Sequence, residues 1–350
     1  MSSGRSKNSS RAERGPDYVA LDLTYRCGLN CPFCFVRNNA LLEPGRRELG
    51  TAALERIISG FSGRPRRFYL TGGEPTLRRD LPELVKAVKA GGHRCLITTN
   101  AQALTPAAAR RLAAAGADEL VISLHGAPAL HDAAAGVPGA FRRAALAVKA
   151  VTSLPAPRPE VTLWCTINRA NHAGLPAVLS AMRALGPDHI AFNHLEFVSE
   201  RDHKATAALF KKLGWPPPAF RPSERLARGI DARKLWAGVL AVKAAAPDAR
   251  FYPDLDLAGV KAWYDPAARL RKPGLCSGQW NAAWLSPYGE LLTCQPLARR
   301  ISAGGDPLAA WAGPEYSAFR RALKAAGGFF PACARCGREP YQARPRRRPC

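Results

Sequence analysis

Cys27, Cys31 and Cys34 stand in the stretch LDLTYRCGLNCPFCF, residues 21–35, at the spacing C-x3-C-x2-C, with Gly28 and Pro32 placed to bend the chain between them. Soft thiolates select iron–sulfur clusters or zinc, and three of them can hold three irons of a cubane [4Fe-4S] cluster. One iron is then left open to another ligand. A structural zinc ion needs a fourth ligand close by, usually from paired C-x2-C units, and neither cysteine nor histidine follows before His93. The pattern points to a cluster with one open position.

A second group lies far downstream. Cys276, Gly289 and Cys294 are spaced C-x12-G-x4-C, and Cys333 and Cys336 form C-x2-C. Four thiolates make a closed site, and on chemistry alone zinc and [4Fe-4S] suit it equally. Thr71-Gly72-Gly73-Glu74-Pro75 is a third feature: paired glycines let backbone approach a ligand closely, and a carboxylate beside exposed carbonyls suits an ammonium group. Asn100, Ser123, His125, Asn168 and His194 fall at the ends of apolar runs. Either histidine could serve there as an acid, base or hydrogen-bond donor, or simply as a structural residue. Cys95 and Cys165 lie within such runs and read as small buried hydrophobes.

The elements that must position these residues follow from periodicity. Short β-type runs at 18–23, 66–70, 94–98, 119–124, 161–167 and 189–192 alternate with helical patterns at 51–60, 81–90, 106–115, 140–151 and 175–185. Such alternation predicts an α/β chain with a parallel sheet and right-handed crossovers. Six strands predict a partial (β/α)6 TIM-like barrel, in which the C-terminal strand ends carry the active site. Residues 279–294 read as a β-hairpin turning at Pro287 and Gly289. The expected organisation is a disordered basic lead-in at 1–16, a core at 17–200, a helical connector at 201–250, a small hairpin/helix iron–sulfur domain at 251–340 and a basic tail at 341–350.

The chain has 350 residues, 47% of them hydrophobic, with 51 Lys and Arg against 27 Asp and Glu, a net charge of +24. That excess attracts anionic partners, so nucleic acid is possible; a solvated basic surface explains it more simply. No run is long enough to span a membrane, and the start has no apolar segment of a secretory signal. A cytoplasmic location follows by default, and ten cysteines there should be reduced thiols or metal ligands.

The Cys27 loop, with Phe33 just before the third cysteine, resembles the cluster-binding signature of the radical S-adenosylmethionine (SAM) superfamily. Gly72 to Pro75, one βα unit later, resembles the family motif that binds the amino group of SAM. The resemblance further implies SAM or substrate contacts from Asn100, Ser123 and Asn168. The family often has a basic residue near position 135, where this chain has Ala135; the partner of SAM's carboxylate is therefore open, with Arg142, Arg143 and Arg169 nearby in sequence. The C-terminal cysteines are similar to the twitch domain, the shortened relative of the SPASM domain, which implies one auxiliary [4Fe-4S] cluster with all four irons ligated.

The resemblance implies that an electron, from a donor such as flavodoxin or ferredoxin, enters the first cluster, and that SAM bound to its open iron is cleaved to methionine and a 5'-deoxyadenosyl radical. That radical abstracts a substrate hydrogen atom. If the auxiliary cluster takes the next electron the product is oxidised; if a thiol such as Cys165 or Cys350 returns hydrogen it is an epimer. The leading expectation is an oxidoreductase acting on a small secondary metabolite such as an aminocyclitol or sugar, because the core begins almost at once and leaves little room for a peptide-recognition domain. The alternatives are maturation of a ribosomally made peptide and RNA modification.

Overall fold

The computed structural model describes residues 15–39, 41–294 and 297–337. Cys350, most of the basic lead-in and the basic tail lie outside the described residues. Seven strands run parallel in chain order: β1 (Tyr18–Thr24), β2 (Arg67–Gly72), β3 (Arg94–Thr99), β4 (Glu119–Ser123), β5 (Glu160–Ile167), β6 (His189–His194) and β7 (Arg250–Tyr252). On the other side of β1 lie β8 (Ala282–Leu285), parallel to it, and then β9 (Leu291–Leu292) and β10 (Arg300–Ile301), both joined antiparallel. The sheet order is β10-β9-β8-β1-β2-β3-β4-β5-β6-β7, open at both ends. This is the partial barrel the alternating pattern predicted, extended by strands on both flanks.

The two faces of each strand divide as a period of two requires. Val19, Leu21, Leu23, Phe68, Leu70, Ile97, Ile122, Leu163, Cys165 and Phe192 share one core with the helices, including Leu54 and Ile58 of Thr51–Gly60 and Leu84, Val85 and Val88 of Leu81–Ala90. The alternate positions form the inner face. There Tyr18 and Tyr69 lie 5.8 Å apart, and Tyr18 and Trp284 6.1 Å, while Trp164 stacks on Tyr252 at 5.3 Å.

The expected connector holds two helices, Glu200–Lys212 and Ala232–Ala245. Ser199 caps the first by accepting from the Asp202 N–H at 3.1 Å, with Glu200 and Asp202 in its first turn and Lys211 and Lys212 in its last, as the helix dipole favours. Position 250 is occupied by β7, a strand of the main sheet. The hairpin begins at Ala282, three residues later than the periodicity suggested, because Gly278–Asn281 forms a helical turn. Among the described residues no helix is long and apolar enough to cross a membrane.

Candidate metal centres

β1 feeds the first cysteine loop, and β2 holds that loop from below. The Gly73 N–H donates to the Thr24 carbonyl at 2.6 Å, and the Glu74 N–H to the Arg26 carbonyl at 2.9 Å. A Cβ on Gly73 would come within 2.3 Å of the Arg26 carbonyl oxygen, and one on Gly72, where φ is +123°, within 2.3 Å of the Thr24 carbonyl oxygen. The glycine pair is thus required by the contact between the two loops. Glu48 adds a side support, accepting from Thr24 Oγ1 at 2.8 Å and the Tyr25 N–H at 2.9 Å. Across the loop, Asn30 donates to the Ala135 carbonyl at 2.8 Å, so backbone rather than a basic side chain meets the loop there.

Glu74 is fully buried, and its carboxylate is engaged by protein. Oε1 accepts from Thr99 Oγ1 at 2.6 Å and from Thr76 Oγ1 at 2.5 Å, and Oε2 from the Asn100 N–H at 2.7 Å. Burial raises its pKa, and these hydrogen bonds oppose the shift. Asn100 completes the chain: its Nδ2 donates to the Cys27 sulfur at 3.3 Å. Ala101, next in sequence, adopts φ +61°, a conformation a non-glycine residue takes only when its surroundings impose it. The structure therefore brings together Cys27, Glu74 and Asn100 around one hydrogen-bonded path.

The thiols crowd one another. Burial, then the neighbouring Cys34 and Cys27 sulfurs, push the Cys31 thiol up to about 12, and Cys27 is shifted up chiefly by burial. Sulfurs that resist joint ionisation are stabilised as thiolates once iron supplies positive charge. Cys27 also accepts from the Leu29 N–H at 3.4 Å, a bond of the kind that tunes cluster potentials. Phe33 sets its ring edge-on against His125, centroids 5.0 Å apart.

His125 lies at the loop but is held neutral. Burial and then His131 depress it to about 3, and Nδ1 accepts from the Thr166 N–H at 3.2 Å, leaving the ring proton on Nε2. It is a hydrogen-bond donor rather than a proton-transfer group near neutral pH. Ser123 is half-buried at the end of β4. Asn168 spends its side chain on its own turn, accepting from the Ala170 N–H at 2.8 Å and donating to the Thr166 carbonyl at 3.0 Å. Both ends of the amide take part in that local Asx geometry.

Cys165 is fully buried in the layer between sheet and helices, with Asn171 Nδ2 donating to its sulfur at 3.4 Å. The buried-hydrophobe reading describes it; a hydrogen donor to substrate would have to face the other side of β5. His194 is likewise structural, its Nδ1 3.0 Å from the Tyr264 hydroxyl. Among the open options for SAM's carboxylate, Arg143 reaches Gln102 Oε1 at 2.6 Å, and Gln102 in turn donates to the Asn100 carbonyl at 3.1 Å, whereas Arg142 and Arg169 are exposed. Gln102 was not singled out in the sequence; its only signal is its place two residues beyond Asn100.

The four downstream cysteines, drawn from three segments, line a single cavity. Cys276, Cys294, Cys333 and Cys336 face it together with Leu297, Leu323, Phe329 and Lys272. Gly328 permits the closure: its carbonyl accepts from the Cys276 N–H at 3.2 Å, and a Cβ there would meet the Gly274 carbonyl oxygen at 2.2 Å. Cys294 accepts from the Leu297 N–H at 3.4 Å. Arg335, inside the C-x2-C, is fully buried and donates to Asp202 Oδ2 at 3.2 Å, the Trp263 carbonyl at 2.7 Å and the Asp265 carbonyl at 2.5 Å. This guanidinium clamps the cysteine turn to the helix Glu200–Lys212. Among the described residues no three cysteine, histidine or carboxylate side chains close around a single metal ion. Four soft sulfurs spread over an apolar cavity suit a cubane cluster.

Known proteins share the segment that holds the first cysteine loop. The sequence profile of the Radical SAM superfamily matches residues 21–163. A PqqA peptide cyclase of Methylocella silvestris is 27% identical over 283 residues, covering 80% of this chain and 68% of that protein. An AdoMet-dependent heme synthase of Nitratidesulfovibrio vulgaris is 37% identical over 128 residues, 36% of this chain and 34% of that one. The structure of Streptococcus suis SuiB bound to precursor peptide SuiA superimposes with a TM-score of 0.59 at 16% identity, over 90% of this chain and 70% of that chain, and so shares the fold. With its cysteine loop, Gly-Gly-Glu-Pro turn and open barrel in place, residues 21–163 form a domain of the radical SAM superfamily, whose cofactors are SAM and a [4Fe-4S] cluster.

Proposed function

We propose that this radical SAM enzyme modifies a ribosomally made peptide by removing hydrogen from it, and that an aminocyclitol or sugar is not its substrate. The observation that carries the reading is the 283-residue similarity to a peptide cyclase, which cannot fit within residues 21–163 and so reaches into the C-terminal region. SuiB, of like fold, binds a precursor peptide. An inner face lined by Tyr18, Tyr69, Trp164, Tyr252 and Trp284 suits an apolar or aromatic peptide side chain.

In this reading Cys27, Cys31 and Cys34 would hold the first cluster, and Gly72 and Gly73 seat the loop in the turn that would bind SAM's amino group. Bound there, cluster and SAM together supply a 5'-deoxyadenosyl radical. Glu74 and Asn100 fix the Cys27 sulfur, and the apolar surroundings exclude water. Cys276, Cys294, Cys333 and Cys336 hold the auxiliary cluster with no open position. An acidic one-electron carrier such as flavodoxin or ferredoxin fits the groove of Arg37, Arg221 and Arg225. Arg37 lies three residues past Cys34, about 4.5 Å of helix rise, and Asn38 Nδ2 ties the groove to the loop at the Pro32 carbonyl, 3.0 Å away.

The test is anaerobic turnover with SAM, reductant and short peptides encoded beside the gene. A peptide product lighter by two hydrogens, formed with 5'-deoxyadenosine, supports the proposal. Turnover of an aminocyclitol, with every such peptide inert, would overturn it.

A further inference from the structure

The cavity of the four downstream cysteines has a nearly uncharged lining. Among the described residues that line it, Lys272 carries the one formal charge besides the sulfurs; the rest are apolar or neutral, among them Leu297, Leu323 and Phe329. The ammonium is held there twice. It donates to the Cys336 carbonyl, within the cysteine turn itself, and it lies 5.6 Å from the centroid of the Phe329 ring. Lys272 is half-buried, four residues before Cys276, in a segment that otherwise forms neither helix nor strand.

A lysine pays rotamer entropy to be fixed in this way, and it gives up part of its hydration. What offsets those terms in a cavity lined by four thiolates is negative charge. A cubane bound by four cysteinates is already anionic, and each added electron makes it more so in surroundings too apolar to screen it. A single ammonium in such a lining opposes that cost directly, and its effect is larger than that of any charge on the wet surface.

We infer that Lys272 raises the reduction potential of the auxiliary cluster and so makes that cluster the acceptor of the substrate's second electron. The inference rests on the proposed function and deepens it, because it fixes the direction of the electron. The 5'-deoxyadenosyl radical takes one hydrogen atom from the peptide. The peptide radical then passes one electron to the oxidised auxiliary cluster and one proton to solvent, and the product is two hydrogens lighter than the substrate. The electron that cleaves SAM comes separately, from the external one-electron carrier. Lys272 takes no part in bond making; it is a positioning charge.

The experiment uses the full chain in a background where Cys27, Cys31 and Cys34 are alanine, so that only the auxiliary cluster is titrated. Lys272→Met, Lys272→Arg and, as a nearby control outside the cavity, Lys324→Gln are reconstituted and their midpoint potentials read by spectroelectrochemistry. Lys272→Met should lower the potential by at least a tenfold shift in the one-electron equilibrium, about 59 mV, with iron content unchanged. Lys272→Arg should recover most of the shift, and Lys324→Gln should not move it. An unmoved potential in Lys272→Met, or a shift matched by Lys324→Gln, overturns the inference. So does loss of iron in Lys272→Met alone, which would make the lysine a structural support. Failure of the background protein itself to hold iron would instead strike at the auxiliary-cluster reading, which keeps the two failures apart.

Discussion

Asn100 donates from Nδ2 to the sulfur of Cys27 across 3.3 Å, and the same residue's backbone N–H is fixed by Glu74 at 2.7 Å. A carboxylate buried under the Gly-Gly turn therefore aims a hydrogen bond at a proposed cluster ligand one strand away. Replacing Asn100 by Ala should leave iron content intact but slow 5'-deoxyadenosine formation roughly 10- to 100-fold, the usual effect of removing an outer partner of a metal ligand. The check is the rate of SAM cleavage under dithionite together with the cluster's EPR signal; an unchanged rate would show that the bond is incidental.

The glycine pair should be intolerant where the loop itself is not. Gly73→Ala would drive a methyl into two carbonyl oxygens, those of Arg26 and Tyr25, at 2.3 and 2.7 Å, whereas Gly28 has nothing within 4 Å. The first variant should bind about four irons instead of the about eight of two cubanes, and Gly28→Ala should bind the full number. Iron and sulfide analysis after anaerobic reconstitution decides it.

Much of this was legible in advance. Cysteine spacing, the Gly-Gly-Glu-Pro turn and the strand–helix alternation are local signals; the alternation located the partial barrel, and the first two named residues that the fold brings together at Glu74, Asn100 and Cys27. The pairing of β8 with β1 was not legible, because a contact between Tyr18 and Ala282 leaves no periodic trace in either segment. Nor were the places of Arg335, buried against Asp202 and two backbone carbonyls, and of Lys272, fixed on the Cys336 carbonyl, because a lone cation in sequence carries no sign of its partners. For Asn168 and Cys165 the converse holds: a strand end or a thiol marks a candidate, but only side-chain direction says which face it serves.

Cys294→Ala should separate radical formation from product. The auxiliary cavity loses one of its four sulfurs, so iron should fall to about four while SAM cleavage persists and peptide product disappears. Product yield per 5'-deoxyadenosine, followed by mass spectrometry, reports the uncoupling.

Arg335→Leu should cost about 2 kcal/mol, since it strips the buried donors from Asp202 Oδ2 and from the Trp263 and Asp265 carbonyls and leaves Asp202 only the Arg201 guanidinium on Oδ1. The double variant Arg335→Leu with Asp202→Asn should recover part of that loss. Urea unfolding midpoints of the three proteins test the pairing, and auxiliary-cluster content should fall in step with the single variant.

Stability should decline on acidification. Burial, the first cause in each case, depresses His125 to about 3 and His131 and His194 to about 4. The unfolded chain takes up protons near pH 6.5 while the folded chain does not. Stability is complete above that value and falls as pH drops toward 4, by roughly 2 kcal/mol for each histidine at pH 5. Glu74, raised by burial, works in the opposite sense. Urea midpoints between pH 8 and pH 5 should show the fall, with a shallower slope in His194→Gln.

β1 is paired with β2 on one side and with β8 on the other, which has a bearing on how the chain is made. Residues 282–285 leave the ribosome about 260 positions after residues 18–24, a delay of tens of seconds at ordinary synthesis rates of about 5–20 residues per second. Through that interval the strand leading into the Cys27 loop has an open edge, with N–H and C=O groups ready to pair with any other exposed strand. A chain cut before Ala282 keeps that edge for good and should aggregate. The region that the finished enzyme must shield most carefully from water is, during synthesis, left open until six of the seven other parallel strands have long been paired.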